Sequence, residues 1–404
     1  MCMLYIPGNA CVFLDPITLS KLYLQDMPEE SVVVLQYPIS YDQYKGTEEI
    51  LFNSTKWKFN DQCSIQNIGY ILLETCYRML VGFGSDLNTC VPCIPNERLV
   101  QHWEDKLGIV TRPNYVHVGE LDVPHAVLFP LECLDRHLHA VDPDMLYKIN
   151  SKMMIQEIDC PQAEVLNQPT MPCVIKVTHS GFGEANFCFH NIEHFHAKKR
   201  ELDTLCPRPE YVVTRLIENV AHEYTPHFYI RKSGEIQWLG VVESLTLEQS
   251  GLAEDGDVKI VRMEPQENLE QLLRPAMIPI SERLHQEGYF GIVGVDMLMD
   301  MDGKQFVLDI NPRINDGTAL MLCARIMSSK GYTAGVSAGG IKAWMSEDDI
   351  FAQSDKEDKG IIVIISILNK EKFSLCQMFI FSNSIEECWQ ILHRNFPGNK
   401  ASQV

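Results

Sequence analysis

The residues with the clearest chemical potential lie between positions 291 and 318, in the stretch GIVGVDMLMDMDGKQFVLDINPRINDGT. Two apolar runs flank residues 301–303, and the Asp-Gly step there predicts a β-hairpin with a tight turn. Asp309 and Asn311 are two residues apart, so they face the same side of a strand. The hairpin can bring Asp296 across to that side. Two carboxylates and one amide oxygen are ligands that suit Mg²⁺.

Arg313 adds a cation to this group. It follows Asn311 by two residues and can direct a bidentate guanidinium to the same place. The spacing alone leaves a second interpretation open, namely a solvated hairpin with acidic residues on its wet face.

A phosphate-binding loop is the second chemical feature. The apolar run 173–178 (CVIKVT) reads as a strand that carries Lys176 into Ser180-Gly181-Phe182-Gly183. Two glycines let backbone N–H groups approach phosphate closely, and such a loop can close as a lid. A GxG taken alone is more often a simple turn, so its meaning depends on Lys176 upstream and the acidic hairpin downstream.

The order of these motifs resembles the ATP-grasp superfamily. The resemblance implies that Asp296, Asp309 and Asn311 hold Mg²⁺, with Mn²⁺ as an alternative ion, between ATP phosphates. It also implies that Arg313 contacts the transferred phosphate or an acyl phosphate. The family usually has Glu at the place of Asp309. Ligases of the D-Ala–D-Ala type carry an Arg just before the first metal Asp, where this chain has an apolar run. Charge stabilisation would then rest on Arg313, on backbone amides, or on Arg262 or Arg325.

The same resemblance implies an ATP site. Lys152 and Lys176 would bind the phosphates, with Lys148 as the rival of Lys152. The backbone of Arg215, Leu216 and Ile217 would bond the adenine edge in a hinge between two lobes. Glu223 would bond the ribose, with Glu218 as its alternative. Apolar side chains such as Val174 and Leu308 would enclose the adenine.

The fold class expected from this resemblance is α/β and α+β, in four parts. Residues 1–142 form a pre-ATP-grasp α/β domain, and residues 143–218 form the first lobe with the glycine-rich loop. Residues 219–345 form the second lobe with the Mg²⁺ hairpin. Residues 346–404 form a small C-terminal strand–strand–helix unit that shapes the substrate site. Gly317-Thr318 and the tail SNSIEECWQIL are similar to the corresponding segments of pheganomycin-type peptide ligases.

Three local predictions concern two helices and one polar run. Asp144 opens a helix that is expected to run on through MLYKINSKMMIQEI. Pro275 and Pro279 are expected to break or kink the helix of residues 269–288. The polar run of residues 346–360 (SEDDIFAQSDKEDKG) is expected to be a mobile loop.

Composition narrows the partners. The net charge of −20 argues against nucleic acid or an anionic membrane as the main partner. Fourteen scattered cysteines indicate reduced thiols and a cytoplasmic location. A homodimer is one option for an assembly that the sequence leaves open.

The function expected is ADP-forming, ATP-dependent ligation of a small carboxylate, such as an amino acid, to an amine, or in the same chemistry a thiol, through an acyl phosphate. A phosphotransferase or carboxylase-like ATP-grasp enzyme is one alternative. A non-catalytic ATP-binding module is the other.

Overall fold

The N-terminal part of the chain contains a three-stranded parallel sheet. The computed structural model describes residues 16–37, 56–57, 75–179, 186–204, 210–245 and 258–397. Strand β1 (Val32–Val34) lies between β2 (Asn88–Cys90) and β3 (His125–Val127). Helices α1 (Leu19–Leu24) and α2 (Glu97–Leu107), and a helical stretch at residues 75–80, accompany the sheet. Parallel strands need crossover connections, so this arrangement is the α/β organisation that the alternating pattern predicts.

The first lobe is a small antiparallel sheet of three strands. Strand β4 (Cys173–Val177) lies between β5 (Asn186–Phe189) and β6 (Tyr211–Arg215). One face of this sheet packs on helix α4 (Ile192–Thr204) through Ile175, Phe189 and Phe195. Because side chains alternate along a strand, Val174 and Lys176 lie on the other face, which is turned away from α4.

The second lobe is built on an eight-stranded sheet in the order β11-β10-β7-β8-β9-β12-β14-β13. Its members in chain order are β7 (Val220–Ile230), β8 (Ile236–Leu245), β9 (Val258–Arg262), β10 (Gly291–Asp300), β11 (Gln305–Asn311), β12 (Ala334–Ala343), β13 (Ile361–Asn369) and β14 (Ser374–Ser382). Strands β13 and β14 belong to the expected C-terminal unit. They pair with β12, so the sheet continues across residue 345 without a break.

Two helices cover this sheet. Helix α5 (Gln266–Gln286) packs Leu273, Met277 and Ile280 against β7 and β8, and helix α6 (Asp316–Ser328) packs on the same strands. The expectation that Pro275 and Pro279 break α5 is wrong, because the helix continues through both prolines. The buried face of α5 stabilises the helix through tertiary packing, which outweighs local propensity.

The other two local predictions are also corrected. The helix that starts at Pro143 ends at Ile149, as α3 (Pro143–Ile149), and a 3₁₀ turn follows at Lys152–Glu157. Ser151 starts that turn by accepting a hydrogen bond from the amide of Met153. The polar run after Ala343 is not a loop, because Glu347–Lys356 is helix α7. Ser346 caps α7, and the three acidic residues in its first turn stabilise the helix by interacting with the positive end of its dipole.

One apolar core joins regions that are far apart in sequence. It contains Phe83 and Trp103 from the N-terminal part, Tyr229 from the second lobe and Phe379 from β14. Helix α8 (Ile385–Asn395), which Ser384 caps as the pattern predicts, packs on β14. None of the ten cysteines among the described residues forms a disulfide.

The outer edge of the large sheet is covered by α2. Strand β13 is the last strand on that side, and α2 lies against it. The Ile364 amide donates to His102 Nε2 at 2.9 Å, and Trp103 Nε1 donates to the Ile364 carbonyl at 2.7 Å. Both backbone groups of an edge residue are thereby satisfied by side chains, which blocks further strand addition there.

Candidate active site

The hairpin β10–β11 places the predicted metal ligands together. Asp296 lies directly opposite Asp309, and Gly294 lies opposite Asn311. Residues opposite each other in a ladder share a face, so Asp296, Asp309 and Asn311 all lie on one face of the sheet. The turn is held by Asp300, whose carboxylate accepts hydrogen bonds from the amides of Asp302 and Lys304.

The Asp296 carboxylate is fixed by two hydrogen bonds. Asn311 Nδ2 donates to Oδ2 at 2.9 Å, and Thr225 Oγ1 on the neighbouring strand β7 donates to Oδ1 at 2.9 Å. Thr225 is buried, so its hydrogen bond holds the Asp296 carboxylate in one orientation. Sequence reasoning missed Thr225, because only the cross-strand register brings it to Asp296.

The environment of Asp309 is one in which a positive charge would stabilise its carboxylate. Burial raises the pKa of its carboxyl, and the nearby Asp296 raises it further, while Lys152, Arg313 and Lys176 lower it. Two carboxylates in one partly buried place repel each other unless a positive charge comes between them. Within the described ranges, no group of three His, Cys, Asp or Glu side chains is arranged to hold a metal. Two carboxylates and the Asn311 oxygen therefore fit an ion that takes its remaining ligands from phosphate and water.

Lys152 and Lys176 both reach this area from the first lobe. Lys176 Nζ donates to the Leu308 carbonyl at 3.0 Å, which puts the ammonium beside Asp309. Burial lowers the pKa of Lys176. Lys152 is buried and donates from Nζ to Asn186 Oδ1 at 2.9 Å. Its rival Lys148 instead forms an ion pair with Glu287 at 2.7 Å.

Both ends of the glycine-rich loop are held near these lysines. Ser180, Gly181, Phe182 and Gly183 lie outside the described residues. His179 precedes them, stacks on the Tyr147 ring at 3.8 Å between centroids, and is 3.0 Å from the Tyr147 carbonyl through Nε2. Asn186 follows them and holds Lys152. His179 therefore lies against helix α3, and Asn186 lies beside Lys152.

Arg313 is clamped between three parts of the chain. Its Nη1 donates to Asn150 Oδ1 at 2.5 Å, and its guanidinium lies 4.7 Å from the centre of the Phe129 ring. Asn150 ends helix α3, and Phe129 comes from the N-terminal part of the chain. This geometry holds a planar cation on the side of the metal-ligand face where the N-terminal part meets the second lobe.

The start of helix α6 is locked onto the same face. Asn315 forms a capping box with Thr318 and is 2.8 Å from His227 Nε2 through Oδ1. A Cβ added at Gly294 would lie 1.8 Å from Asn315 Nδ2, and one at Gly317 would lie 2.6 Å from the His227 ring. Both positions therefore require glycine, because Asn315 occupies the space at Gly294 and the His227 ring occupies the space at Gly317. Burial lowers the pKa of His227 to about 4, so this imidazole is neutral at pH 7.

The two other arginines considered for charge stabilisation are engaged elsewhere. Arg325 is buried and donates to the Leu239 carbonyl at 3.2 Å. Arg262 pairs with Glu243, which also contacts His222, beside a cavity that Tyr224 lines and that lies on the α5 face of the sheet. Thr225 contacts Asp296, so its neighbour Tyr224 points to the opposite face. Arg313 is thus the arginine of these three that lies at the metal-ligand face.

A row of polar side chains continues this face across the sheet. The register aligns Glu223 with Ser244, Ser244 with Lys259, and Lys259 with Ser337. Glu223 is exposed on the same face as Thr225, whereas Glu218 lies in the irregular link after β6. Lys259 Nζ donates to Ser244 Oγ at 3.3 Å. Lys259 is a third lysine on this face and was not singled out from the sequence.

The hinge is the segment between β6 and β7. Leu216 donates its amide to the Pro172 carbonyl at 3.2 Å, and the Arg215 side chain pairs with Glu164 at 3.1 Å. Leu216 and Ile217 are partly buried, as is Leu308 on β11. These residues link the two lobes on the side where Val174 and Lys176 face the second lobe.

Comparison with known proteins agrees with this architecture. Residues 151–311 match the family described as L-aspartate--L-methionine ligase, ATP grasp. The fold is similar to that of N5-carboxyaminoimidazole synthetase from Staphylococcus aureus complexed with ADP, with a TM-score of 0.51 and 10% identity over 96% of this chain and 100% of that one. An N5-carboxyaminoimidazole ribonucleotide synthetase in its ADP complex has a TM-score of 0.50 and 12% identity, over 91% of this chain and 97% of that one. The enzyme of the same name from Thermus thermophilus has a TM-score of 0.50 and 11% identity, over 81% of this chain and 96% of that one.

The expected ATP-grasp fold is therefore confirmed, and so is the resemblance to ATP-grasp ligases. The family match spans the two lobes up to Asn311, the last of the predicted metal ligands. Among the helices that the structure describes, none combines the length and the apolar character needed to cross a bilayer.

Proposed function

We propose that this ATP-grasp ligase joins the carboxylate of one amino acid to the amine of another substrate and forms ADP. The observation that carries the proposal is the convergence at the β10–β11 hairpin: paired carboxylates with Asn311 on one face, and three cations around Asp309. Positive and negative groups arranged in this way suit a metal-bound triphosphate. The description of the matching family names aspartate and methionine, which makes this pair the first to test.

Each residue has a distinct task in this proposal. Asp296, Asp309 and Asn311 would hold Mg²⁺, and the ion would supply positive charge that neutralises the phosphates. Lys152 and Lys176 bind phosphate oxygens from the first lobe, together with backbone amides of residues 180–183. The hinge backbone bonds adenine, and Glu223 bonds ribose because it lies on the ligand face of β7. Thr225 keeps the Asp296 carboxylate in its orientation.

The chemistry follows from these positions. An oxygen of the donor carboxylate attacks the γ-phosphorus, and ADP leaves with the electron pair of the broken bond. Arg313 stabilises the charge on the phosphoryl and acyl oxygens, since Asn150 and Phe129 hold its guanidinium in place. The unprotonated amine then attacks the acyl carbon, phosphate leaves with the electron pair of the broken C–O bond, and the nitrogen gives its proton to solvent water. Phosphoryl transfer of this kind depends on positioning and charge stabilisation, so no protein nucleophile is needed.

A pairwise screen for ADP release tests this proposal. Amino acids and small carboxylates are combined with amino acids, amines and one thiol, starting with L-aspartate and L-methionine. We expect ADP release that needs both a carboxylate and an acceptor, and a hydroxamate when hydroxylamine replaces the acceptor. Phosphorylated product without ligation would instead indicate a phosphotransferase. ADP release that stays at background with every pair would contradict the proposal and favour a nucleotide-binding module.

A further inference from the structure

An ion pair between two parts of the chain lies beside Arg313. Arg78, in the helical stretch at residues 75–80, is 3.3 Å from Asp316 through Nη1 and Oδ2. Asp316 follows Arg313 by three residues and is the first residue of α6. Burial is the main cause that raises the pKa of Tyr37; Asp316 raises it further, whereas Arg313 and Arg78 lower it. These three charged groups therefore lie within electrostatic range of one hydroxyl.

Asp316 is held in place by the packing that requires two glycines. Asn315 caps α6 and fills the space above Gly294, and the backbone of Gly317 lies against the His227 ring. The backbone of Asp316 is therefore fixed relative to the strand that carries Asp296. A side chain on such a rigid helix start is positioned more precisely than one on a loop.

The pair differs from a second ion pair that joins the same parts of the chain. Arg231 contacts Asp26 at 2.7 Å, and Asp26 has only 6% of its side chain exposed. In contrast, Asp316 has 41% of its side chain exposed, while Arg78 has 15%. The Asp26 carboxylate is thus closed off by the fold, whereas the Asp316 carboxylate is accessible from solvent beside the largely buried Arg78.

We propose that Arg78 and Asp316 bind the acceptor substrate, and that this acceptor is an α-amino acid. Arg78 binds its α-carboxylate, and Asp316 binds its α-ammonium group before the amine attacks. A zwitterion matches a neighbouring guanidinium and carboxylate in both charge and hydrogen bonding. A donor with a single carboxylate cannot fill this role, because that carboxylate has to reach the γ-phosphate and Arg313; for a dicarboxylic donor such as L-aspartate, the acid-to-amide preference for the acceptor decides which substrate the pair binds. The inference rests on the proposed ligase function and adds the acceptor class and the residues that select it.

Acceptor selectivity tests the inference. The donor is L-aspartate, and the acceptors are L-methionine, L-methioninamide, which lacks the carboxylate, and hydroxylamine, which lacks the whole amino-acid frame. If the screen above finds another pair, its acceptor and the corresponding amide replace these two. The wild type should prefer L-methionine over L-methioninamide by at least about tenfold in kcat/KM. The reason is that the amide cannot form the charge-assisted bidentate pair with the Arg78 guanidinium.

The Arg78→Met variant should lose most of that preference, mainly through a higher KM for the acid. The ratio of methionine-dependent to hydroxylamine-dependent turnover should fall at least about tenfold. Arg78→Lys should restore part of the preference, and Asp316→Asn should raise the KM for acid and amide alike. Asp26→Asn is the matched control, which breaks the closed pair and should leave the acid-to-amide preference as it is.

Two results would overturn the inference. One is an acid-to-amide preference that persists in both Arg78 variants. The other is an equal loss of methionine-dependent and hydroxylamine-dependent turnover, which would mark the pair as a purely structural link. A wild-type protein that forms no hydroxamate with any carboxylate would instead count against the proposed function itself, so the two failures are distinguishable.

Discussion

Acidification should weaken the fold through His102, which joins α2 to the edge strand β13. This imidazole accepts a hydrogen bond from the Ile364 amide and is 6% exposed. Burial is the main cause that lowers its pKa from 6.5 to about 4. The folded protein therefore takes up this proton at a lower pH than the unfolded chain does. The stabilisation is fully present above pH 6.5 and is lost as the pH falls towards 4.

The size of the effect follows from the shift. A difference of this size between folded and unfolded pKa values corresponds to about 3 kcal/mol in total, of which about 2 kcal/mol is lost by pH 5. The His102→Gln variant keeps an acceptor for the Ile364 amide but does not titrate. The wild type should therefore lose about 2 kcal/mol more unfolding free energy than this variant between pH 7.5 and pH 5.

Urea unfolding at the two pH values measures this difference. His137→Gln serves as the control, because His137 is 69% exposed and its replacement should leave the pH dependence unchanged. Direct titration of the His102 ring by NMR should give a midpoint near 4. A midpoint near 6.5, or parallel losses in the wild type and His102→Gln, would refute the reasoning.

Three further substitutions test the site. Asp309→Asn removes one of two charges that would hold Mg²⁺ and should reduce turnover about a hundredfold or more; Asp302→Asn in the turn of the same hairpin should not, and near-normal turnover of Asp309→Asn would count against the metal assignment. Lys176→Met should weaken ATP binding measured by calorimetry, whereas Lys304→Met, exposed at the hairpin turn, should not; equal affinities would remove Lys176 from the phosphate site. Gly294→Ala should displace Asn315 and lower turnover, since its Cβ would lie 1.8 Å from Asn315 Nδ2; an unchanged Tm and kcat would show that the helix start tolerates a side chain there.

The sequence predicted the hairpin well, because its information is local. An Asp-Gly turn between two apolar runs defines both strands, and alternation along a strand then places Asp309 and Asn311 on one face. The ATP-grasp fold was predicted from the resemblance of the order of motifs to that superfamily. The choice between Lys148 and Lys152 was open in the sequence, and the ion pair of Lys148 with Glu287 now favours Lys152.

Contacts across strands and between domains could not be predicted from the sequence. Thr225 and Lys259 join the site only through sheet register, and the Arg78–Asp316 pair depends on how the N-terminal part packs against α6. The charged run before β13 suggested a loop, although Ser346 with Asp349 three residues later was a usable N-cap signal. The continuity of the sheet from β12 into β14 likewise arises from long-range pairing that local patterns do not encode.

The fate of the donor carboxylate oxygens tests the central claim most directly. The donor is labelled with ¹⁸O in its carboxylate, turnover is run with ATP and an acceptor, and the products are analysed by mass spectrometry. An acyl phosphate intermediate transfers one labelled oxygen to the released phosphate, with ADP as the nucleotide product. That is the predicted result. Unlabelled phosphate, or AMP with the label in its phosphoryl group, would contradict the account.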